Sequence, residues 1–554
     1  MSTDARERPV EDTITKDATQ KADSAQEAPP EEDEPILVRI DPSVSLWHPM
    51  WRGQPVYHGN AEALGWALDS VGRSVAFIGA GAFLSTALLR LAKEAAGCET
   101  EAPPGSNTIP ECNERVYGIR PSSLLTTYTI VVGIVSAILM PLIGAVVDYT
   151  PHRLAVGQWL SVVFCVMLVP QIFINENTWF AVALIQIGVA FAGWMQTMVT
   201  YAYLPELSNS VERLNRYTQS FTMLSFGSMV LYLAGVVGVS SLAGFGDDDI
   251  ATARLGQSVS FCVSSVMLYL SWGRLLKKRP AARTLPPGKS LWTAGFIQVY
   301  HTSIHIYKYL PSLRWFYISV ALIDAGVNSL ATIMITYLTD TLGFSSQENG
   351  IAILLMLVGS IPGAVIAGRS TARFDPIRSS IAATLILAIN TIIAGVVLKE
   401  QGQQIETYLL AAGWGLGTGW KWTTDRLLAS VLIPPGQDAE LMGVYLFAGQ
   451  ILTWLPPLVF TVLNEAGVSQ RIGIGTLAIY FFFGAIALVL MGSFKVAVAA
   501  AGRSSTPFPH HRSVENPEIT SSDSKVKDEQ SDPVAVVQSN DDDAGIAFRQ
   551  DGAL

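Results

Sequence analysis

The sequence predicts an all-α integral membrane protein, a bundle of twelve transmembrane helices in two six-helix halves. Three observations carry this. Half of the 554 residues are hydrophobic and only 15% are charged, a balance that a water-soluble chain of this length does not keep in solution. Apolar runs near twenty residues, enough to cross about 30 Å of hydrocarbon as helix, recur twelve times between two polar tails. A phrase that ends the second run, "GAVVDYTPHR" at 144–153, returns after six more runs as "GAVIAGRSTAR" at 363–373, late in the eighth.

The first six runs lie at 74–92, 122–147, 154–174, 179–203, 219–243 and 255–272. The second six lie at 315–338, 350–368, 380–398, 407–433, 441–463 and 471–493. In lipid each segment must satisfy its own backbone hydrogen bonds, so unbroken runs of this length fit helices and not the ten-residue alternating strands of a barrel. Phrases repeated six helices apart are the mark of a parallel repeat of two halves. A second echo agrees with it: "WALDSVGRS" around Asp69 opens the first span, and "ALIDAGVNS" around Asp324 lies in the seventh.

The formal charge of −10 belongs to the tails. Residues 1–60 hold 12 acids against 6 bases and residues 503–554 hold 10 against 5, so the body between them is close to neutral. Both ends are rich in Ser, Asp, Glu, Pro and Gln, a composition that buries too little apolar surface to offset chain entropy. Disordered acidic tails are therefore expected at 1–63 and 496–554. No basic stretch followed by a short apolar one stands at the start, so the first membrane helix is expected to direct insertion.

Lys and Arg collect in cytoplasmic loops. The connector at 273–314 holds Arg274, Lys277, Lys278, Arg279, Arg283, Lys289, Lys308 and Arg314 with no acid, whereas the odd-numbered connections carry Asp247 to Asp249, Asp340, Glu348 and Glu465. This places the connector and both tails in the cytoplasm, between a half at 64–272 and a half at 315–495. Within the connector, "LWTAGFIQVYHTSIHIYKYL" at 291–310 has the aromatic and apolar content of an amphipathic helix on an anionic leaflet. His301 and His305 share a face there, and a solvated helix face is the expected reading over a metal pair. Cys98 and Cys112 fall in the first non-cytoplasmic loop, where a disulfide forms if that side is oxidising; the alternative is two unpaired thiols.

Six plus six helices around a long basic connector is the architecture of the major facilitator superfamily. "GAVVDYTPHR" resembles that superfamily's signature between the second and third helices, with its paired Arg reduced to His152 and Arg153. Longer stretches, above all "IDAGVNS" at 323–329 and "IPPGQDAE" at 433–440, are similar to the autophagy-related vacuolar amino-acid effluxer family and its bacterial relatives. That resemblance runs over about 64–495 and implies export of amino acids from a degradative vacuole to the cytosol. An acidic dileucine-like "EEDEPIL" at 31–37 points toward the same vacuolar or endolysosomal membrane.

The residues themselves point to transport through polar groups at membrane depth. A carboxylate inside a span is costly unless it faces water, a partner or a proton. Asp324, with Asn328 one turn on, is thus the candidate proton or substrate-ammonium site, against a purely structural hydrogen bond. Gln196, Thr197 and Thr200 of the fourth span, and Gln450 with Trp454 of the eleventh, add neutral hydrogen-bonding groups that suit a small zwitterion. Lys421 is a candidate carboxylate partner, with Asp425 four residues on to neutralise it. Asp69 and Arg73 are expected to pair at the cytoplasmic mouth of the first span. Gly144, Asp148 and Arg153 are expected to form a cytoplasmic gate, Asp148 pairing with Arg153 or with a helix N-terminus of the other half. Gly413, Gly415, Gly417 and Gly419 leave the tenth span bare on more than one face, open to close helix packing.

Enzyme chemistry finds no support: no His lies in any expected span, and neither HExxH nor Gly-x-Ser-x-Gly occurs. No metal, cofactor or nucleic-acid partner is expected; the partners are a small-molecule solute and the bilayer, and a monomer suffices to enclose a path. The expected function is secondary active transport of neutral amino acids by alternating access, with proton coupling through Asp324. Sugar transport on the same fold, or a receptor or scaffold working through the tails, are the alternatives.

Overall fold

The structure, a computed structural model, describes residues 60–100, 109–208, 211–281, 284–285, 290–434 and 438–503. Residues 1–59 and 504–554 of the tails, with the dileucine-like stretch, Arg283 and Lys289 of the connector, and the middle of "IPPGQDAE" lie outside the described residues; 61–63 and 496–503, expected as disordered tail, are helical, continuing the apolar sequence beside them.

The first half begins with α1 (Ala61–Ala95), capped by Asn60, whose Oδ1 accepts the Ala63 amide at 3.1 Å. The helix opens into one π turn at Ala80–Leu84. After α2 (Pro121–Tyr149) come α3 (Arg153–Gln171), α4 (Trp179–Tyr203), α5 (Val211–Leu242) and α6 (Asp249–Leu268). A second π segment, Tyr269–Leu275, continues α6. The connector contributes α7 (Leu291–Tyr309). The second half comprises α8 (Pro311–Asp340), α9 (Ser346–Phe374), α10 (Pro376–Val397), α11 (Gln404–Leu432), α12 (Asp438–Ile451), α13 (Leu455–Glu465) and α14 (Gln470–Leu490), followed by α15 (Phe494–Arg503).

Among the described residues, ten helices are long and apolar enough to cross a membrane, where the sequence reading expected twelve crossings. The sixth and tenth spans are helical as α6 and α11. Arg254, Gln257 and four serines in the former, and Lys421, Asp425 and Arg426 in the latter, make them more polar than the rest. The eleventh span is also not one helix. Pro456 and Pro457 sit in the first turn of α13, where a missing N–H does no harm; farther inside a continuous helix their rings would strike the preceding turn.

Each half has its own apolar core, one around Phe316, Ile323, Tyr337, Phe460 and Phe481, the other in two clusters around Phe83 and Leu88 and around Trp66 and Phe164. The doubled phrase has a packing reason. Gly144 of α2 meets Met198 of α4, and Gly363 of α9 meets the Leu416 carbonyl of α11, which is the corresponding helix six spans on. In the second half the fit is backbone on backbone. Gly415 and Gly419 of α11 face the Met356 and Ser360 carbonyls of α9, while Gly413 and Gly417 turn toward Asn390 and Leu387 of α10. A side chain at the first pair would push two helices apart.

Candidate functional site

Two carboxylates occupy corresponding places in the two halves, and their surroundings differ. Asp69 lies inside α1, eight residues past its start, and is wholly buried. Four donors surround it: Arg73 Nε at 2.7 Å, Thr200 Oγ1 at 2.8 Å, Gln196 Nε2 at 3.2 Å and Trp272 Nε1 at 2.7 Å. Arg73 in turn donates to Thr197 Oγ1 at 2.5 Å, and Gln196 to Ser161 Oγ at 2.9 Å. Asp69 thus ties α1, α3, α4 and the π segment after α6 into one unit. Gln196 and Thr200, expected along the solute path, spend their donors on this knot.

Asp324 stands thirteen residues into α8. Its Oδ1 is buried with no hydrogen-bond partner among the described residues. Lys421, Trp422 and Asp425 of α11 lie in its neighbourhood. Lys421 itself is fully buried in an ion pair with Asp425, which also accepts from Ser380 Oγ at 3.2 Å. Room for the Asp324 carboxyl comes from Gly449 of α12, where a Cβ would stand 2.9 Å from Oδ2. Asp69 is fully satisfied; Asp324 is not.

Between the halves lies a cavity of about 440 Å³. Trp194, Trp414, Trp422, Phe77, Phe226 and Tyr128 give it aromatic walls, and the π turn of α1 presents Ala80 and Gly81 to it. Its polar groups are amides and hydroxyls, among them Gln186, Asn328, Asn349 and Gln450, and no acidic or basic side chain of the described residues lines it. Asn328 and Gln450 therefore reach the cavity, while Asp324 and Lys421 do not line it. Trp454 sits at the break between α12 and α13, donating to the Ile451 carbonyl at 2.9 Å and packing on Gly133 of α2.

One end of the bundle is tied across the halves. There Lys93 of α1 pairs with Asp340 of α8 at 2.6 Å, and Gln470 of α14 donates to the same carboxylate. Arg90 meets Asp249 at 2.5 Å, and the other Asp249 oxygen accepts the Ser346 amide at the start of α9, also at 2.5 Å. Arg120 donates to the Asn464 carbonyl at 2.9 Å, Asn464 to Ser122 and Ser123 at 2.7 Å each, and Asn349 to Thr86 at 3.0 Å. Asp249 stands six residues ahead of the sixth apolar run. Burial pushes its carboxyl above the usual range, outweighing the opposite pull of Arg90 and Ser346. Cys98 and Cys112 are joined in a disulfide at this same end.

At the connector end, Arg426 Nη1 donates across the halves to Thr222 Oγ1 at 3.0 Å. Of the expected gate residues, Gly144 and Arg153 are engaged within the first half. Arg153, whose expected partner was Asp148, donates to Glu206 Oε1 at 2.8 Å and to the Ala202 carbonyl at 3.1 Å, with its guanidinium over the Tyr203 ring. Arg279 of the connector bridges Glu62 at 2.5 Å and Glu206 at 3.7 Å; Asp148 is engaged as well. Sequence reasoning missed Trp272, Glu206, Asp249 and Trp422, because each acts through a partner distant in the chain. The "DDD" at 247–249 was the one visible signal.

A family model described as "Vacuole effluxer Atg22 like" matches residues 58–501. Solved structures share the fold. A point mutant of the nucleoside transporter NupG superposes with TM-score 0.52 and 15% identity over 78% of this chain and 100% of that one. A D-xylose–proton symporter gives 0.52 and 13%, and the peptide-transporter-family member PepTSo gives 0.53 and 13%, each over 78% of this chain and 97% of its own. No curated protein sequence matches the chain.

Proposed function

Since the chain belongs to the Atg22-like vacuole effluxer family and is a multi-pass membrane transporter of the major facilitator fold, we propose that it carries neutral amino acids from a vacuolar lumen to the cytosol by alternating access. Proton coupling through Asp324 belongs to the same reading. The observation that carries it is a cavity between two halves that a buried ion pair locks together at one end, with a carboxyl of incomplete bonding one helical turn below Asn328.

On this reading the positive connector lies in the cytoplasm and the tied end with the disulfide faces the lumen. Lys93–Asp340 and the bond from the Ser346 amide to Asp249 then form the luminal gate, and the arrangement is the one that hands solute to the cytosol. A cavity lined by amides and hydroxyls receives a solute of zero net charge, since an unbalanced charge there would lose its hydration without a counter-charge. Amides such as Asn328 and Gln450 both donate and accept, matching the two ends of a zwitterion.

The same groups would serve a sugar, which is the second reading. Uptake of labelled neutral amino acids and of labelled pentoses and hexoses by proteoliposomes separates them. Saturable amino-acid uptake that unlabelled sugar does not inhibit supports the reading; saturable uptake of sugars alone overturns it.

A further inference from the structure

Asn349 belongs both to the cavity wall and to the bonds that close the tied end. It stands in the first turn of α9, three residues past the Ser346 amide that Asp249 holds, and is wholly buried. Its Nδ2 donates to Thr86 Oγ1 of α1 at 3.0 Å, across the halves, and to Thr339 Oγ1 of α8 at 2.8 Å. Thr86 spends its own hydrogen on the Ala82 carbonyl, at 3.0 Å, in the π turn of α1, so it meets Asn349 only as an acceptor. That bond decides which end of the amide is nitrogen and which is oxygen. Both hydrogens of the nitrogen are then used, and Oδ1 is left buried with no hydrogen-bond partner among the described residues. Gly350, the next residue, lets this turn come so close to α1: a Cβ there would stand 2.8 Å from the Phe83 ring.

We propose that Asn349 Oδ1 is the acceptor for the ammonium group of the solute, and that this contact favours closure of the luminal gate over a loaded cavity. This rests on the transport reading above. With the gate open, water serves both ends of the amide. Closure gives the nitrogen Thr86 in place of water, but it takes the oxygen out of water with no protein donor in return, and a buried acceptor left bare is costly. An ammonium N–H in the cavity removes that cost. Solute therefore binds the closed arrangement better than the open one, which is what a solute needs in order to shift the two. After release to the cytosol the oxygen is bare again, and the empty protein reopens toward the lumen. A zwitterion without N–H groups would leave the oxygen as bare as an empty cavity does.

The test uses the full chain in proteoliposomes, with alanine and leucine set against their N,N,N-trimethyl derivatives. All four are zwitterions of zero net charge, and only the parent amino acids carry N–H donors. As competitors of labelled amino-acid exchange, alanine and leucine are expected to act on the parent protein about tenfold or more better than their derivatives, the scale of one hydrogen bond to a charged group. Spin labels across the tied end should show more of the short distance with alanine or leucine than with either derivative. This comparison needs no variant. Asn349→Leu keeps the volume and removes the oxygen; it should lose most of the preference and the response of the labels. Thr86→Val keeps the oxygen and removes the bond across the halves; it should keep the preference while the short distance becomes rarer. Equal closure of the parent on both kinds of solute, or a full preference in Asn349→Leu, overturns the role of Asn349 while transport stands. If the parent exchanges neither alanine nor leucine, the transport reading falls first and this inference with it.

Discussion

Lys93 of α1 and Asp340 of α8 form an ion pair at 2.6 Å that joins the two halves, with side chains only 2% and 6% exposed. Such a pair is a poor source of net stability but a strict one to break, because removing one partner strands the other charge away from water. Lys93→Met is therefore expected to destabilise this closed arrangement by about 3–5 kcal/mol, less what Gln470 retains. Spin labels placed on either side of the tied end should report a longer distance in the variant. An unchanged distance distribution would mean that the pair does not hold the gate.

Asp249 gives the same end a pH response whose sign runs against intuition. Its carboxyl titrates above the usual range when buried between Arg90 and Ser346, whereas in an opened gate it would be in water with an ordinary value. The closed arrangement thus binds the proton more tightly, and acid favours it. This preference is present as pH falls toward the ordinary carboxylate range and is lost as pH rises through the raised value. The labelled pair should show more of the short distance at pH 5 than at pH 8, and Asp249→Asn should remove the difference. More opening in acid would contradict this.

The glycines of the doubled phrase predict unequal tolerance. An Ala at 144 meets the terminal methyl of Met198, which can turn aside, while an Ala at 363 meets the Leu416 carbonyl and the Trp420 amide nitrogen. Gly144→Ala should leave the thermal unfolding temperature nearly unchanged. Gly363→Ala should lower it by several degrees, the response to about 1–3 kcal/mol of overpacking. Equal effects in a thermal-shift assay would refute the contrast.

The disulfide closes a loop between residues 14 apart just beyond the gate. Cys98→Ser with Cys112→Ser is expected to cost up to about 3 kcal/mol through the freed chain. Reduction of the parent should reproduce the loss, and no shift in either case would show that the loop is held by other contacts.

Periodicity and hydropathy made the helices legible, and the repeated phrase around Gly144 and Gly363 made the two halves legible. Asp324 was legible because a carboxylate in an apolar run is conspicuous whatever surrounds it. What lies around it was not, since Trp422 and Gly449 meet Asp324 only through the packing of α8, α11 and α12. The full burial of Asp69 was not legible because α1 begins thirteen residues ahead of the apolar run, with Asn60 as its cap. Its bond to Trp272 depends on the π segment after α6, and nothing in local composition marks a register change of that kind. Arg153 met Glu206 rather than Asp148 for a related reason. Spacing along one turn shows which charges are near in sequence, not which helix end folds over them.

The most direct test of the account is uptake of labelled neutral amino acids by proteoliposomes under an imposed pH gradient, parent beside Asp324→Asn, with both shown to be folded. The account predicts saturable uptake that the gradient stimulates in the parent and that the variant performs without stimulation. Equal stimulation of both proteins would contradict the role of Asp324, and no uptake by the parent would contradict amino-acid transport itself.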